Sequence, residues 1–167
     1  MSQTSIETAG LLVRDERGDY RQASSDEVLH AARKVIAKRV KRGTTFSSPQ
    51  IAQEFLTLKL AGREHEVFVL LMLDSQHRLI EALEMFRGTI DGASVYPREV
   101  VKEALAHNAA AVILAHNHPS GVAEPSAADR SLTNRLKQAL ALVDVRVLDH
   151  LVVAGTDVTS FAERGLL

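Results

Sequence analysis

Short continuous apolar runs and helical stripes alternate along this chain. Residues 66–73 are apolar after the first position, which is typical of a strand buried on both faces of a sheet. Residues 109–114 form a second such run. Leu132, Leu136 and Leu140 instead recur at the spacing of one helix face. Strands and helices are therefore interleaved, which predicts an α/β layered domain with a central mixed β-sheet flanked by helices.

Capping and turn residues set the expected bounds of the elements. Ser24 with Glu27 is a capping box, and Ser48 followed by Pro49 is a typical helix start. Ser160 is expected to cap a short C-terminal helical turn. Helices are predicted near residues 24–43, 48–62, 94–107 and from 126 onward. Strands are predicted near residues 10–14, 66–73, 78–86, 109–114, 145–148 and 151–154.

A polar string follows the run at 109–114. His116 and His118 are two positions apart, so on an extended chain both imidazoles leave the same face. Pro119 then helps to force a loop. Ser126 is a candidate helix N-cap, which places Asp129 in the first helical turn beside free backbone N–H groups.

Two neutral imidazoles and one carboxylate that converge in this way suit a catalytic zinc site. Such a site takes three protein ligands and leaves the fourth tetrahedral position to water. The alternative is a structural turn that carries two surface histidines. The letters His-Asn-His do not indicate an HNH nuclease, because its three residues are dispersed over a ββα unit and here they are adjacent.

The string His116-x-His118-x7-Ser126-x-x-Asp129 resembles the JAMM (MPN+) metalloprotease motif. The sequence His-Asn-His-Pro-Ser-Gly is similar to that of the bacterial RadC family in particular. The resemblance covers about residues 45–167. Asn117 stands where eukaryotic JAMM proteins usually have Ser or Thr. Further segments that agree with RadC are Glu66-Val67-Phe68, Leu73-Asp74, Phe86-Arg87-Gly88-Thr89, Pro97-Arg98-Glu99-Val100, Asp149-His150 and Ser160-Phe161-Ala162-Glu163.

The resemblance implies the JAMM/MPN arrangement, which is akin to the cytidine deaminase fold. It also implies Zn²⁺ held by His116, His118 and Asp129, and a general base at Glu66. Glu64 lies two residues away on the same face, so it is the alternative candidate for the base. Ser126 can cap its helix, donate to a developing oxyanion, or do both. The function implied is a zinc-dependent metallohydrolase, a peptidase or isopeptidase, with a peptide or protein substrate.

The remaining polar residues near these segments receive structural interpretations. Asn117 is expected to point away from the metal face. His150 follows Asp149 within an apolar strand pair, so a buried hydrogen-bonded histidine is favoured over a fourth ligand. His30, His77 and His107 are interpreted as surface histidines. The group that accepts a hydrogen bond from each ligand imidazole cannot be read from the sequence.

Residues 1–44 are interpreted as an N-terminal extension with a basic amphipathic helix, and residues 45–167 as the RadC/JAMM domain. The cations of the helix favour either a solvated face or a patch for nucleic acid or an acidic partner. They are Arg33, Lys34, Lys38, Arg39, Lys41 and Arg42. They are the only support in the chain for the alternative function, a DNA-repair protein whose metal is structural or acts on nucleic acid. Larger RadC proteins carry a preceding helix-hairpin-helix region, and a short form that lacks it is expected here.

The amino-acid composition excludes several further classes of function and of metal site. The 20 basic and 21 acidic residues give a net charge of −1, which argues against nucleic-acid binding by bulk charge. With no cysteine, thiolate metal sites and the cysteine-containing ligand set of zinc deaminases are excluded. No apolar run approaches membrane-spanning length, so a cytoplasmic protein without a membrane partner is expected. The sequence sets no oligomeric state.

Overall fold

The computed structural model describes residues 11–14, 17–39, 42–88 and 95–167. Within these ranges the strands are β1 (Leu12–Arg14), β2 (Tyr20–Gln22), β3 (Val67–Leu73), β4 (Leu79–Arg87), β5 (Ala111–Asn117), β6 (Arg146–Ala154) and β7 (Asp157–Ser160). The helices are α1 (Ser25–Arg39), α2 (Pro49–Leu60), α3 (Pro97–Ala106) and α4 (Ala127–Ala141). The expected start of the third helix at residue 94 lies outside the described ranges.

The main sheet has the strand order β4-β3-β5-β6-β7. β3 is antiparallel to both β4 and β5, β5 is parallel to β6, and β6 is antiparallel to β7. Strands β3 and β5 occupy the centre, and all of their residues are buried, as expected for strands covered on both faces. β1 and β2 form a separate antiparallel hairpin.

Helices cover both faces of this sheet. One hydrophobic core joins α2 to residues such as Val69 and Ile113, and the other joins α3 and α4 to alternate residues such as Leu70 and Leu114. Leu136 and Leu140 of α4 are completely buried in the second core. The predicted α/β layered domain with a central mixed sheet flanked by helices is therefore confirmed.

The C-terminal strands differ from the prediction. Residues 145–148 and 151–154 were expected as two strands, but β6 runs unbroken through Asp149 and His150. The Asp149 carboxylate accepts hydrogen bonds from Ser160 Oγ at 2.6 Å and from the Ala162 N–H at 3.0 Å, so this buried polar residue is satisfied inside the strand. β2 and β7 were not predicted, because short edge strands carry too few apolar positions.

Several helix starts agree with the capping residues. Ser24 and Glu27 form the expected reciprocal bonds at the start of α1, and α2 begins at Pro49. Ser160 ends β7, and its hydroxyl accepts from the Glu163 N–H at 3.1 Å. The Arg164 N–H donates to the Ser160 carbonyl at 3.2 Å, which closes the single helical turn that was expected after Ser160. None of the helices in the part of the chain described here is long and apolar enough to cross a membrane.

Candidate metal centre

The end of β5 presents two imidazoles toward α4. His116 lies in the last residues of the strand and is 6% exposed. His118 follows the last residue of β5, and its N–H is still hydrogen-bonded to the Val153 carbonyl of β6 at 2.8 Å. The chain then turns through Gly121, whose φ of +80° is a conformation that glycine adopts without strain. This turn leads back across the strand end to α4.

A capping box fixes the carboxylate at the start of α4. The Asp129 N–H donates to Ser126 Oγ at 3.1 Å, while Asp129 Oδ2 accepts from the Ser126 N–H and from its hydroxyl, each at 2.7 Å. Ser126 thus acts as the helix N-cap that the sequence indicated. These bonds leave Oδ1 of Asp129 directed at His116.

The three side chains converge on one point. Nε2 of His116 lies 3.0 Å from Nε2 of His118 and 3.2 Å from Oδ1 of Asp129. Nε2 of His118 lies 3.5 Å from Oδ2 of Asp129. One ligand atom from each residue falls within 4.8 Å of the others, which is a spacing that can hold a metal ion. The structure therefore brings together the three residues whose spacing suggested a metal site.

Hydrogen bonds behind the cluster fix which nitrogen of His116 is protonated. The Thr133 hydroxyl donates to the Asp129 carbonyl at 2.6 Å, because a carbonyl can only accept. Thr133 Oγ1 must then accept from Nδ1–H of His150, 2.6 Å away. Nε2 of His150 is left to accept from Nδ1–H of His116 at 2.9 Å. The Nε2 lone pair of His116 consequently faces the cluster, as a metal ligand requires.

The second imidazole is oriented in the same way by the backbone. Nδ1–H of His118 donates to the Val122 carbonyl at 2.8 Å, so its Nε2 also presents a lone pair to the cluster. His150 itself is completely buried and stacks on Phe161 at 4.8 Å between ring centroids. It is hydrogen-bonded on both nitrogens, which agrees with the structural interpretation from the sequence. The sequence did not reveal Thr133 or Val122.

The charges of the site follow from these contacts. Burial tends to raise the pKa of the Asp129 carboxyl, but its hydrogen bonds to His116 and His118 hold that pKa well below its usual range. The hydrogen bond to Asp129 raises the pKa of His118. Burial lowers the pKa of His150 well below its usual value, so this ring stays neutral. The metal-free cluster therefore contains an ionised carboxylate and a neutral supporting imidazole.

Glu66 lies beside the cluster in the register of the sheet. In the β3–β5 register Phe68 is opposite His116, and continuing this register places Glu66 opposite His118 on the same face. The negative charge of Glu66 is one of the influences that raise the pKa of His118. Glu66 is half-buried, whereas the Glu64 side chain is exposed. The geometry favours Glu66 over Glu64 as the acidic group beside the cluster.

The basic helix gives less evidence of a functional site than the histidine and aspartate cluster does. Arg33 donates from its guanidinium to the Ala61 carbonyl, and with Arg42, Lys59 and Arg63 it lines a cavity of about 350 Å³ beside β4. Glu84 neutralises part of this charge through Arg63 at 2.7 Å. Lys41 and the side chains of residues 38 and 39 lie outside the described part of the chain. A patch for nucleic acid or an acidic partner stays a prediction.

Comparisons with known proteins identify the relatives of this chain. Residues 46–166 match the family model described as the RadC-like JAB domain. A UPF0758 protein of Methylibium petroleiphilum is 62% identical over 150 residues, which are 90% of this chain and 68% of that protein. A UPF0758 protein of Vibrio cholerae is 61% identical over 146 residues, 87% of this chain and 92% of that protein. These similarities and the fold lead to one assignment: the chain belongs to the RadC family and carries its JAB domain, with a His-His-Asp cluster at the end of β5.

Proposed function

We propose that this protein is a zinc-dependent metallohydrolase of the JAMM type that cleaves an amide bond, as a peptidase or an isopeptidase. The observation that carries the proposal is the convergence of two lone-pair nitrogens and one ionised carboxylate, with Glu66 opposite His118. Two imidazoles and one carboxylate, with a fourth position left to water, are a ligand set of catalytic zinc.

The donor chemistry of the cluster fits Zn²⁺. His116 and His118 would hold it through Nε2 and Asp129 through its carboxylate. Zinc in such a site lowers the pKa of water and polarises a carbonyl as a Lewis acid. The capping box and the His150 contact restrict rotation of Asp129 and His116, so both ligands are oriented before the metal arrives.

Glu66 is the residue proposed to move the proton. As a carboxylate beside the cluster, it can take a proton from the attacking water and return it to the departing amine. An amine leaving group needs this proton, since an amide anion would be expelled only at high cost. Glu66 thus serves as base and then as acid within one turnover.

Ser126 can have both roles that the sequence left open. Its oxygen accepts from the Asp129 N–H, while its proton is donated to Asp129 Oδ2. A hydroxyl can rotate its proton while the oxygen keeps its acceptor bond. We propose that the proton turns toward the oxyanion that develops on the substrate, without loss of the helix cap.

A peptide library tests the proposed reaction. We expect the zinc-loaded protein to cleave members of an unbiased library that contains both linear peptides and isopeptides linked through a lysine side chain. Activity should disappear on chelation and return with zinc. Single- and double-stranded oligonucleotides incubated in parallel test the alternative function. Cleavage of nucleic acid with no cleavage of any peptide or isopeptide would contradict the proposal.

Zinc affinity is expected to fall as the pH decreases. A proton on Nε2 of His118 competes with the metal, and the pKa of His118 is raised by Asp129, so competition begins at a higher pH than for an ordinary histidine. Asp129 stays ionised and adds no competition in this range. Below the pKa of a ligand imidazole the affinity should drop about tenfold per pH unit for each protonated ring. Competition with a zinc-binding dye measures this, and an affinity that stays flat from neutral to mildly acidic pH would exclude histidine ligands.

A further inference from the structure

We propose that Asn117 is the positioning residue of Glu66. Its carboxamide takes the place of a strand backbone at the point where β5 can no longer pair with the chain ahead of β3. It thereby holds the backbone on both sides of Glu66, so that this carboxylate faces the metal ligands. The inference rests on the base role proposed for Glu66 and names the residue that makes that role possible.

The contacts of Asn117 enclose Glu66 in sequence. Oδ1 of Asn117 accepts from the Val67 N–H at 2.8 Å, and its Nδ2 donates to the His65 carbonyl at 3.0 Å. On the other side of this segment the Gly88 N–H donates to the Glu66 carbonyl at 2.8 Å. Asn117 is only 4% exposed, so little water is available to replace its bonds. The backbone of residues 65–67 is thus fixed from both neighbouring strands.

The backbone of β5 cannot itself supply the donor for the His65 carbonyl. The His118 N–H points to β6, where it meets Val153, so the N–H of the following residue would be the next one to point toward β3. That residue is Pro119, which has no N–H. In the register of the two strands Pro119 would stand opposite His65. The donor missing at Pro119 is provided by the side chain of Asn117.

A carboxamide suits this task better than other side chains of similar size. It carries a donor and an acceptor together, as a peptide group does. A serine hydroxyl has one proton and a shorter reach, and an aspartate would direct a second acceptor at the His65 carbonyl. Asn117 lies on the face opposite the ligand imidazoles, because side chains alternate along β5. Its effect on the site therefore passes through the segment that carries Glu66.

Asn117→Ser and Asn117→Leu test the inference on the full chain. We expect zinc affinity to stay unchanged and kcat to fall by about 10²-fold, the scale of a catalytic group misplaced by about 1 Å, with KM little altered. Amide hydrogen exchange in the metal-free protein should become faster at Val67 but not at Leu70 in the middle of β3. The matched control is Asn134→Ser on the exposed face of α4, which should change none of these quantities.

A double substitution shows whether Asn117 acts through Glu66. When Glu66→Gln is already present, Asn117→Ser should cause no further loss of kcat, since two residues that act as a unit are not additive. Multiplying losses, or a fall in zinc affinity like that of a lost ligand, would overturn the inference. Unchanged exchange at Val67 in both variants would also overturn it. If the wild type cleaved no peptide, the proposed function would be rejected. Fast exchange at Val67 in the variants would in that case still show that Asn117 bonds to the backbone beside Glu66.

Discussion

Replacing Glu66 with glutamine is expected to lower hydrolysis by about 10²-fold or more, the usual scale for a lost general base, while zinc content stays near that of the wild type. Glutamine keeps the shape and the hydrogen-bonding reach of glutamate but cannot accept a proton at neutral pH. The proposed metal ligands lie at the end of β5, just beyond it and in α4, so the substitution leaves them in place. Steady-state cleavage of a library-derived peptide, alongside metal analysis of the same sample, measures both quantities.

Glu64→Gln is the matched control for this prediction. The Glu64 side chain is exposed and lies two residues before Glu66, so its substitution should be close to silent. A loss of activity with the Glu64 change and none with the Glu66 change would mean that the base is Glu64. If neither variant mattered on a substrate that the wild type cleaves, the JAMM mechanism would not apply to this chain.

His118→Ala is expected to abolish tight zinc binding. The variant removes one of three ligand atoms and leaves His116 and Asp129, which cannot complete a site of three protein ligands. The half-buried position of His118 makes a folded variant the expected product, which circular dichroism verifies. Metal analysis after desalting, with a calorimetric zinc titration, measures the loss.

Substitutions of two further histidines serve as comparisons for His118→Ala. His30 is exposed on α1, and His30→Ala should bind zinc like the wild type. His150→Phe should weaken zinc binding by about 10- to 100-fold, since it removes the acceptor that orients His116 and the donor to Thr133 but leaves the three proposed ligands in place. Full zinc retention by His118→Ala would reject the ligand assignment. A His30→Ala loss as large as that of His118→Ala would show that binding depends on something other than this cluster.

The sheet could be predicted from the sequence because its central strands are buried on both faces. The runs that became β3 and β5 are apolar without alternation, which is the pattern of strands covered on both faces. The start of α4 could also be predicted from the sequence, because a capping box is a local feature of four residues. These local signals indicated the cluster of His116, His118 and Asp129 from the sequence alone.

The surroundings of the ligands could not be predicted, because they depend on contacts between distant segments. Thr133 meets His150 only after α4 packs on β6, and Pro119 comes opposite His65 only in the register that the sheet adopts. The sequence did indicate one such contact region, because Asp149 and His150 are polar residues within an apolar strand. Two polar residues within an apolar strand need internal partners, and those partners proved to be Ser160, Thr133 and His116.

Anomalous diffraction at the zinc edge, from crystals of the zinc-loaded protein, tests the central claim most directly. We predict one peak per chain, with Nε2 of His116 and Nε2 of His118 at about 2.0–2.1 Å, the Asp129 carboxylate as the third protein ligand, and the fourth position free of protein atoms. A peak bound by other residues, a fourth protein ligand that closes the site, or no peak between these three side chains would contradict it.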